Sequence, residues 1–294
     1  MIHPTAIIDK DVILGKDIEI GPYVVIEKGV KLGSNVKIGP GSHIKGNTEI
    51  GEGTAIGTGV IIGEMPQSLG FKENIGKVII GKNNVIREYV TIHSSSGAGQ
   101  VTSIGDNNFF MAFAHVAHDC DIKNNVVLCN GVLVAGHVQI SDWAFLSGYV
   151  GVHQFVRIGR CAMIGGLTRV TQDVPPFMMV VGNSRVWGLN MVGLKRRGFS
   201  LKDIGEIKKA FQIIYRDKLS QANAMERLKN IESPLIKEIA DFVESAKRGI
   251  CGPQKSSFIQ KLFLDYPYFL LLKIDVYRLF FDAQKTRGFT ANGR

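Results

Sequence analysis

Aliphatic residues return every six positions from the start of the chain. Ile2, Ile8, Leu14, Ile20, Ile26, Leu32, Ile38, Ile44, Ile50, Ile56 and Ile62 hold one register. The register lapses, returns at Ile80, Ile86 and Ile92, and lapses again. It then runs through Ile104, Phe110, Val116, Ile122, Leu128, Val134, Ile140, Leu146, Val152, Ile158, Ile164 and Val170. A period of six is neither the 3.6 of a helix nor the 2 of a plain strand. It predicts short flat strands joined by tight corners, three to a coil of about 18 residues, with the aliphatic side chains stacked inside a narrow prism.

Glycine often follows the aliphatic residue, as at Gly15, Gly21, Gly33, Gly39, Gly51 and Gly57. Corners that need positive φ would use it, which accounts for the excess of glycine in a chain that has 34. Repeats of this kind resemble those of left-handed parallel β-helices, an exception to right-handed crossover. The handedness is what that resemblance implies.

The two lapses, 64–77 and 94–103, predict loops projecting from the wall. Pro175 and Pro176 stop the coils. From Ser200 the pattern turns helical: Leu201–Lys218 places Ile204, Ile207, Phe211, Ile214 and Tyr215 on one stripe, and Ser220–Ile231 and Leu235–Arg248 read as two further helices. The expected organisation is an all-β left-handed parallel β-helix over 1–190, a C-terminal α-helical domain over 191–250, and an extra aromatic-rich helical tail over 251–294. That tail mixes Phe, Leu and Tyr with Lys273, Asp275 and Arg278, which fits packing on a neighbour or contact with a membrane surface. A three-faced prism has flat faces to bury, and proteins with this repeat are commonly trimers, so a homotrimer is expected.

The formal net charge of +9 suits an acidic partner. Cys120, Cys129, Cys161 and Cys251 form no C-x-x-C pair, which argues against a zinc ribbon or redox motif. The N-terminus enters the repeat at once without a signal-peptide pattern, and no long uncharged apolar run predicts a spanning helix. A cytoplasmic location is expected.

Histidines His93, His115, His118, His137 and His153 crowd a short stretch of the chain. One coil beyond His118 lies Gly136, beside His137, and two coils beyond lies Gln154, beside His153, so these imidazoles line one edge. Asp119 next to His118 would orient the ring and raise its basicity if both side chains leave a corner together. Gly136 lets a substrate approach the backbone, where an N–H can face a developing oxyanion. No serine or cysteine stands in a nucleophile setting, which favours direct transfer by a general base.

The runs His115-Val116-Ala117-His118-Asp119-Cys120, Ala135-Gly136-His137-Val138, Val152-His153-Gln154-Phe155, Gln172-Asp173-Val174-Pro175-Pro176 and Gly193-Leu194-Lys195-Arg196-Arg197-Gly198-Phe199 resemble the UDP-N-acetylglucosamine O-acyltransferase family. The likeness extends from residue 1 to about residue 250. It implies transfer of a (3-hydroxy)fatty acyl chain from acyl carrier protein to the 3-position of a UDP-linked glucosamine, the first step of lipid A synthesis. It implies His118 as general base, Asp119 as its orienter and the Gly136 N–H as oxyanion donor. It places His93, His115, His137, His153 and Gln154 on the substrates, Asn190 and Arg197 on the nucleotide, and Arg196 near the donor. Gly166, Ser184 and Trp187 are the positions expected to set acyl length. No cofactor, metal or nucleic acid is implied.

The chain departs from the family in its first loop. The family reads Pro-Gln-Asp-Leu-Lys-Tyr where Pro66-Gln67-Ser68-Leu69-Gly70-Phe71 stands here, so Ser68 and Gly70 replace a carboxylate and an ammonium on the substrate side. Val192 replaces an acidic residue. These losses raise a 3-amino acceptor as an alternative to the 3-hydroxyl. Two other classes remain open: a γ-class carbonic anhydrase-like zinc lyase using His115, His118 and His137, and a non-catalytic hexapeptide scaffold. A sister N-acyltransferase shares the repeat but carries an N-terminal domain before it.

Overall fold

The computed structural model describes residues 1–71 and 76–254. The expectation for the tail beyond residue 254, its membrane contact included, lies outside the described residues.

Among the described residues the strands form three sheets of nine, eight and eleven strands. As far as Val170 each is visited in turn, so sequence neighbours sit on different faces and every third strand pairs. On the nine-stranded face Ile26 pairs with Ile44, Ile44 with Ile62, Ile62 with Ile92, Ile92 with Val116, Val116 with Val134, Val134 with Val152 and Val152 with Val170, all parallel. The six-residue register is thus the interior column of a parallel β-helix. Ile44, Ile62, Ile92, Val116 and Val134 are fully buried, and each such side chain stabilises the stack by about 1.5–3 kcal/mol. The first coil is the exception: Ile2 and Leu14 are exposed, because nothing lies beneath them.

A second interior column sits two residues before the first. Val24, Val30, Val36, Val60, Val90, Ala114, Cys120, Val126, Val132 and Val138 are buried there, with Ser42, Thr48, Thr54, Asn84, Thr102 and Asn108. These smaller residues fill the corners of the prism.

The glycine expectation needs correcting. Gly15, Gly33, Gly39 and Gly51 do not adopt positive φ; a Cβ there would stand 2.5–2.6 Å from backbone atoms of the coil above. They are glycines because adjacent coils touch. The left-handed corners come two residues later and are turned by Asn35, Asn47, Asn83, Asn107 and Asn125, by Gly29, Gly41, Gly53 and Gly59, and by larger residues such as Asp119 and His137.

The coils end where Asp173, buried, accepts from the backbone N–H and Nε of Arg157. Antiparallel strands Met178–Val181 and Arg185–Leu189 follow. Helices α1 (Met191–Arg196), α2 (Leu201–Tyr215), α3 (Gln221–Lys229) and α4 (Pro234–Glu244) come next. Ser200 and Asp203 form a capping box on α2, and Ser220 and Ser233 cap α3 and α4. The fully buried residues of α2 are Ile204, Ile207, Ala210 and Ile213; of the stripe expected from sequence, Ile204 and Ile207 are among them, Ile214 packs on the core half-buried, and Phe211 and Tyr215 are half-buried. The buried face packs with Leu194, Leu228, Ile236, Ile239 and Val243 onto Cys161 and Phe177 of the last coils. Gly252–Pro253 returns to pair with Arg185 and Val186.

Candidate active site

The edge that follows the nine-stranded face carries the histidines. His118 stands just before a left-handed corner at Asp119 (φ 60°). The tight turn lets adjacent side chains meet, and His118 Nδ1 lies 2.6 Å from Asp119 Oδ2. This bond makes Nδ1 the protonated nitrogen of the neutral ring and leaves Nε2 its lone pair. Among the described residues no hydrogen bond reaches His118 Nε2.

The Asp119 carboxylate is heavily solvated by protein. Burial works to raise its pKa, but hydrogen bonds from Ser95, Ser96 and His118 outweigh that and bring it down to about 2. Its backbone N–H donates to Thr102 Oγ1 at 2.8 Å. A carboxylate so held stays charged at any working pH and fixes the His118 ring through its Nδ1 proton.

One coil up, Gly136 stands in the column of His118. A Cβ there would lie 2.6 Å from His118 Cε1 and 2.8 Å from Nε2, so only glycine leaves room for the ring. The Gly136 carbonyl accepts from Phe155 N–H at 3.1 Å, and among the described residues nothing accepts from the Gly136 N–H. His137 turns the next corner (φ 60°), meets the His118 ring edge-on at 5.2 Å, and stacks on Phe155 at 4.5 Å.

Toward the coils below, His115 Nδ1 pairs with Thr91 Oγ1 at 2.8 Å. Its pKa falls to about 4, mainly through burial and then through the neighbouring His93 and His118 charges. His93 is buried against it, edge-on at 5.0 Å, with Nδ1 unpartnered and its pKa lowered by burial. Glu64, gripped by Lys45 Nζ at 3.0 Å through both oxygens, lies opposite His93 across the ladder.

The structure thus brings together His93, His115, His118, Asp119, Gly136 and His137. His153 and Gln154 stand one coil further up, both exposed, His153 Nδ1 being 3.2 Å from the Gln154 carbonyl oxygen. Ser68 and Gly70 are exposed on the first loop. Asn190 is buried and spent within the chain: its Oδ1 caps α1 by accepting from Gly193 N–H, and its Nδ2 donates to the Cys161 carbonyl. The expected nucleotide contact finds that carboxamide already engaged. Arg197 lies over the Trp143 ring and donates to the carbonyls of Gly193 and Trp143, and Arg196 is exposed. Ser184 is also buried and engaged, its hydroxyl bonded to Arg169 O and Thr171. Gly166 and Trp187 are half-buried. Sequence reasoning passed over Ser95, Ser96, Thr102 and Phe155. The triple serine beside His93 was the one available signal.

The zinc reading required His115, His118 and His137 to converge. Among the described residues the ligand atoms that do converge belong to His118, Asp119 and His137. His115 Nδ1 is turned to Thr91, and Asp119 is filled by serine donors and the His118 proton. That donor set does not fit a three-histidine zinc site.

A six-fold transferase hexapeptide pattern matches residues 29–64 and 102–136. The second domain of UDP-N-acetylglucosamine O-acyltransferase matches residues 173–251. The acyl-[acyl-carrier-protein]--UDP-N-acetylglucosamine O-acyltransferase of Aliarcobacter butzleri is 48% identical over 252 residues, covering 85% of this chain and 97% of that protein. The like-named protein of Gloeothece citriformis is 48% identical over 190 residues, 64% of this chain and 69% of its own. The UDP-N-acetylglucosamine acyltransferase structure from Bacteroides fragilis superposes with a TM-score of 0.83 at 39% identity, over 85% of this chain and 99% of that one. That from Campylobacter jejuni gives 0.81 at 37%, over 86% and 100%. The left-handed hexapeptide β-helix with its C-terminal helical domain, together with these relatives, makes the chain an acyltransferase. The chain belongs to the UDP-N-acetylglucosamine O-acyltransferase family.

Proposed function

We propose that the chain transfers a fatty acyl group from acyl carrier protein to the 3-position of UDP-linked N-acetylglucosamine, opening lipid A synthesis in the cytoplasm. The observation that carries this is the His118–Asp119 pair set against the Cβ-free Gly136. His118 Nε2 takes the proton from the acceptor's 3-position as that atom bonds to the thioester carbonyl carbon. The oxyanion is met by the Gly136 N–H. The carbon–sulfur bond then breaks, and the departing thiolate recovers the proton from His118. A thioester is reactive enough for a neutral imidazole to suffice as base. His93, His115, His137, His153 and Gln154 surround the acceptor and donor, and Arg196 and Arg197 lie near the nucleotide and carrier. The net charge of +9 suits an acidic carrier.

A homotrimer is supported by the outward residues of the nine-stranded face and the corner before it. Leu133, Phe113, Tyr149 and Leu167 are all exposed there, an apolar stripe that a second copy would cover. Among the described residues no helix is long and apolar enough to cross a membrane.

The relatives' names say O-acyltransferase, which makes the acyl acceptor a hydroxyl. Ser68 and Gly70, where the family carries opposite charges, favour a second reading with an amine there. The test is a product assay on the purified full-length protein, with a ladder of acyl carrier thioesters and both acceptors. Acylation of either sugar is expected, and His118→Ala should lower turnover about 10²–10⁴-fold with an unchanged circular dichroism spectrum. Full turnover in that variant, or no acylation of either sugar by the wild type, would overturn the proposal. Much faster acylation of UDP-N-acetylglucosamine than of its 3-amino analogue would rule out the second reading alone.

A further inference from the structure

Ser94, Ser95 and Ser96 open the second projecting loop, and each has an assigned partner. Ser94 donates from its N–H (2.9 Å) and its Oγ (3.1 Å) to the Glu64 carbonyl. Ser95 N–H donates to the Lys77 carbonyl at 3.4 Å, and Gly76 N–H returns a bond to the Ser95 carbonyl at 2.9 Å. Glu64 and Lys77 are the two feet of the first loop, so the serine run is pinned to both. Ser94 and Ser95 are fully buried.

The groups left over all converge on one carboxylate. Ser95 Oγ donates to Asp119 Oδ1. Ser96 Oγ donates to Oδ2 at 2.6 Å, and Ser96 N–H lies 3.2 Å and 3.4 Å from the two oxygens. On the other side stand His118 Nδ1, at 2.6 Å from Oδ2, and His137 Nε2, at 3.6 Å from the same oxygen. Asp119 is therefore gripped from the loop side by three donors while it grips His118 from the other. A buried hydroxyl is costly to leave without an acceptor, so serine and carboxylate hold each other in place. A carboxylate bound on both oxygens has one rotamer open to it, and the ring it orients inherits that restriction.

We propose that Ser95 and Ser96 are positioning residues for the acyl transfer: they fix the Asp119 carboxylate so that it presents Oδ2 to His118, and they join the feet of the first loop to the catalytic pair as one unit. This rests on the reading of His118 as the base. The serines touch no reacting atom; they act through Asp119. They also draw on the carboxylate's charge in competition with His118. Removing them makes Asp119 a stronger acceptor toward the imidazolium.

The experiment uses the full-length protein with Ser96→Ala, Ser95→Ala/Ser96→Ala and Ser96→Thr, beside His118→Ala. Steady-state turnover, the KM for the UDP-sugar acceptor, the pH profile of kcat and the melting temperature are measured for each. Ser96→Ala should lower kcat about tenfold and the double variant about 100-fold, with KM changed less than threefold. The acid limb of kcat should move to higher pH in both. The groups facing His118 that could share that limb are Asp119 at its own corner, His137 above, and His115, His93 and Glu64 below; all are unaltered in these variants. Ser96→Thr keeps the hydroxyl and should restore kcat to within threefold of wild type. A role in folding alone would lower the melting temperature and leave the limb in place. If His118→Ala is inactive while the double variant turns over at the wild-type rate with an unmoved limb, the positioning role is wrong and the base assignment stands. If His118→Ala itself retains full turnover, both fall.

Discussion

The same corner of the prism is built twice, with opposite contents. In the lower coils the corner after the nine-stranded face is turned by Gly29 (φ 84°) and Asn47 (φ 58°), and the residues just before it are Lys28 and Gly46. In the upper coils it is turned by Asp119 (φ 60°), His137 (φ 60°) and Phe155 (φ 64°), preceded by His118, Gly136 and Gln154. A left-handed backbone costs an ordinary side chain about 1–2 kcal/mol. Below, glycine and asparagine avoid most of that cost. Above, it is accepted at His137 and Phe155, and cross-coil bonds such as His137 N–H to the His118 carbonyl at 3.0 Å hold the corner in place. One backbone turn thus carries either set of side chains, at a higher conformational cost in the upper coils.

The comparison is tested most severely by a matched pair of glycines. Gly136→Ala drives a Cβ into the His118 ring and should cost at least about 100-fold in turnover, since displacing a reacting group by about 1 Å costs that much. Gly46→Ala meets only the Lys28 carbonyl, 2.9 Å from the new Cβ. It should lower the melting temperature by a few degrees and leave turnover per folded molecule alone. Equal losses of turnover in the two variants would break the distinction.

A medium effect concerns acid stability. The folded pKa of His115 is about 4, against 6.5 for the ordinary side chain, with burial as the leading cause. The unfolded chain therefore binds more protons between those values. Stability is fully present above about pH 6.5 and falls as the pH drops toward 4, after which this group adds no further loss. The urea midpoint should follow that slope, and His115→Gln should flatten it. A wild-type midpoint constant across the window would show that the upper edge carries no such liability.

The smallest effect belongs to the lower corner. Asn47→Gly keeps the turn and touches no histidine, so stability should shift by about 0.5 kcal/mol or less and turnover not at all. Loss of activity there, measured beside the melting curve, would mean that the lower coils contribute to the site.

The stack was legible because its period belongs to the backbone: a column such as Ile62, Ile92 and Val116 must be aliphatic wherever the chain crosses it. The second column went unread because Val, Ala, Ser, Thr, Cys and Asn alternate there and no single property repeats. The corner glycines were misassigned since sequence shows which residue is small, not whether φ or a neighbouring coil demands it. Coil arithmetic placed His118, His137 and Gly136 together, yet it could not place Ser95 and Ser96. Those two reach Asp119 through a loop whose path no repeat governs. Similarly, the helical period alone did not say that Ala210 and Ile213 are fully buried while Phe211 and Ile214 stay half-buried.

The pairing of Ile62 with Ile92 follows the same ladder as that of Ile44 with Ile62, although the first circuit is longer by the whole first loop. Stretching a closed circuit from about 18 to about 30 residues adds only about 0.5 kcal/mol of closure entropy. Segments inserted at this edge can therefore be lengthened, shortened or exchanged at small thermodynamic cost. On the proposed reading of His118 as the base, a change in acceptor is decoupled from the integrity of the scaffold that presents it.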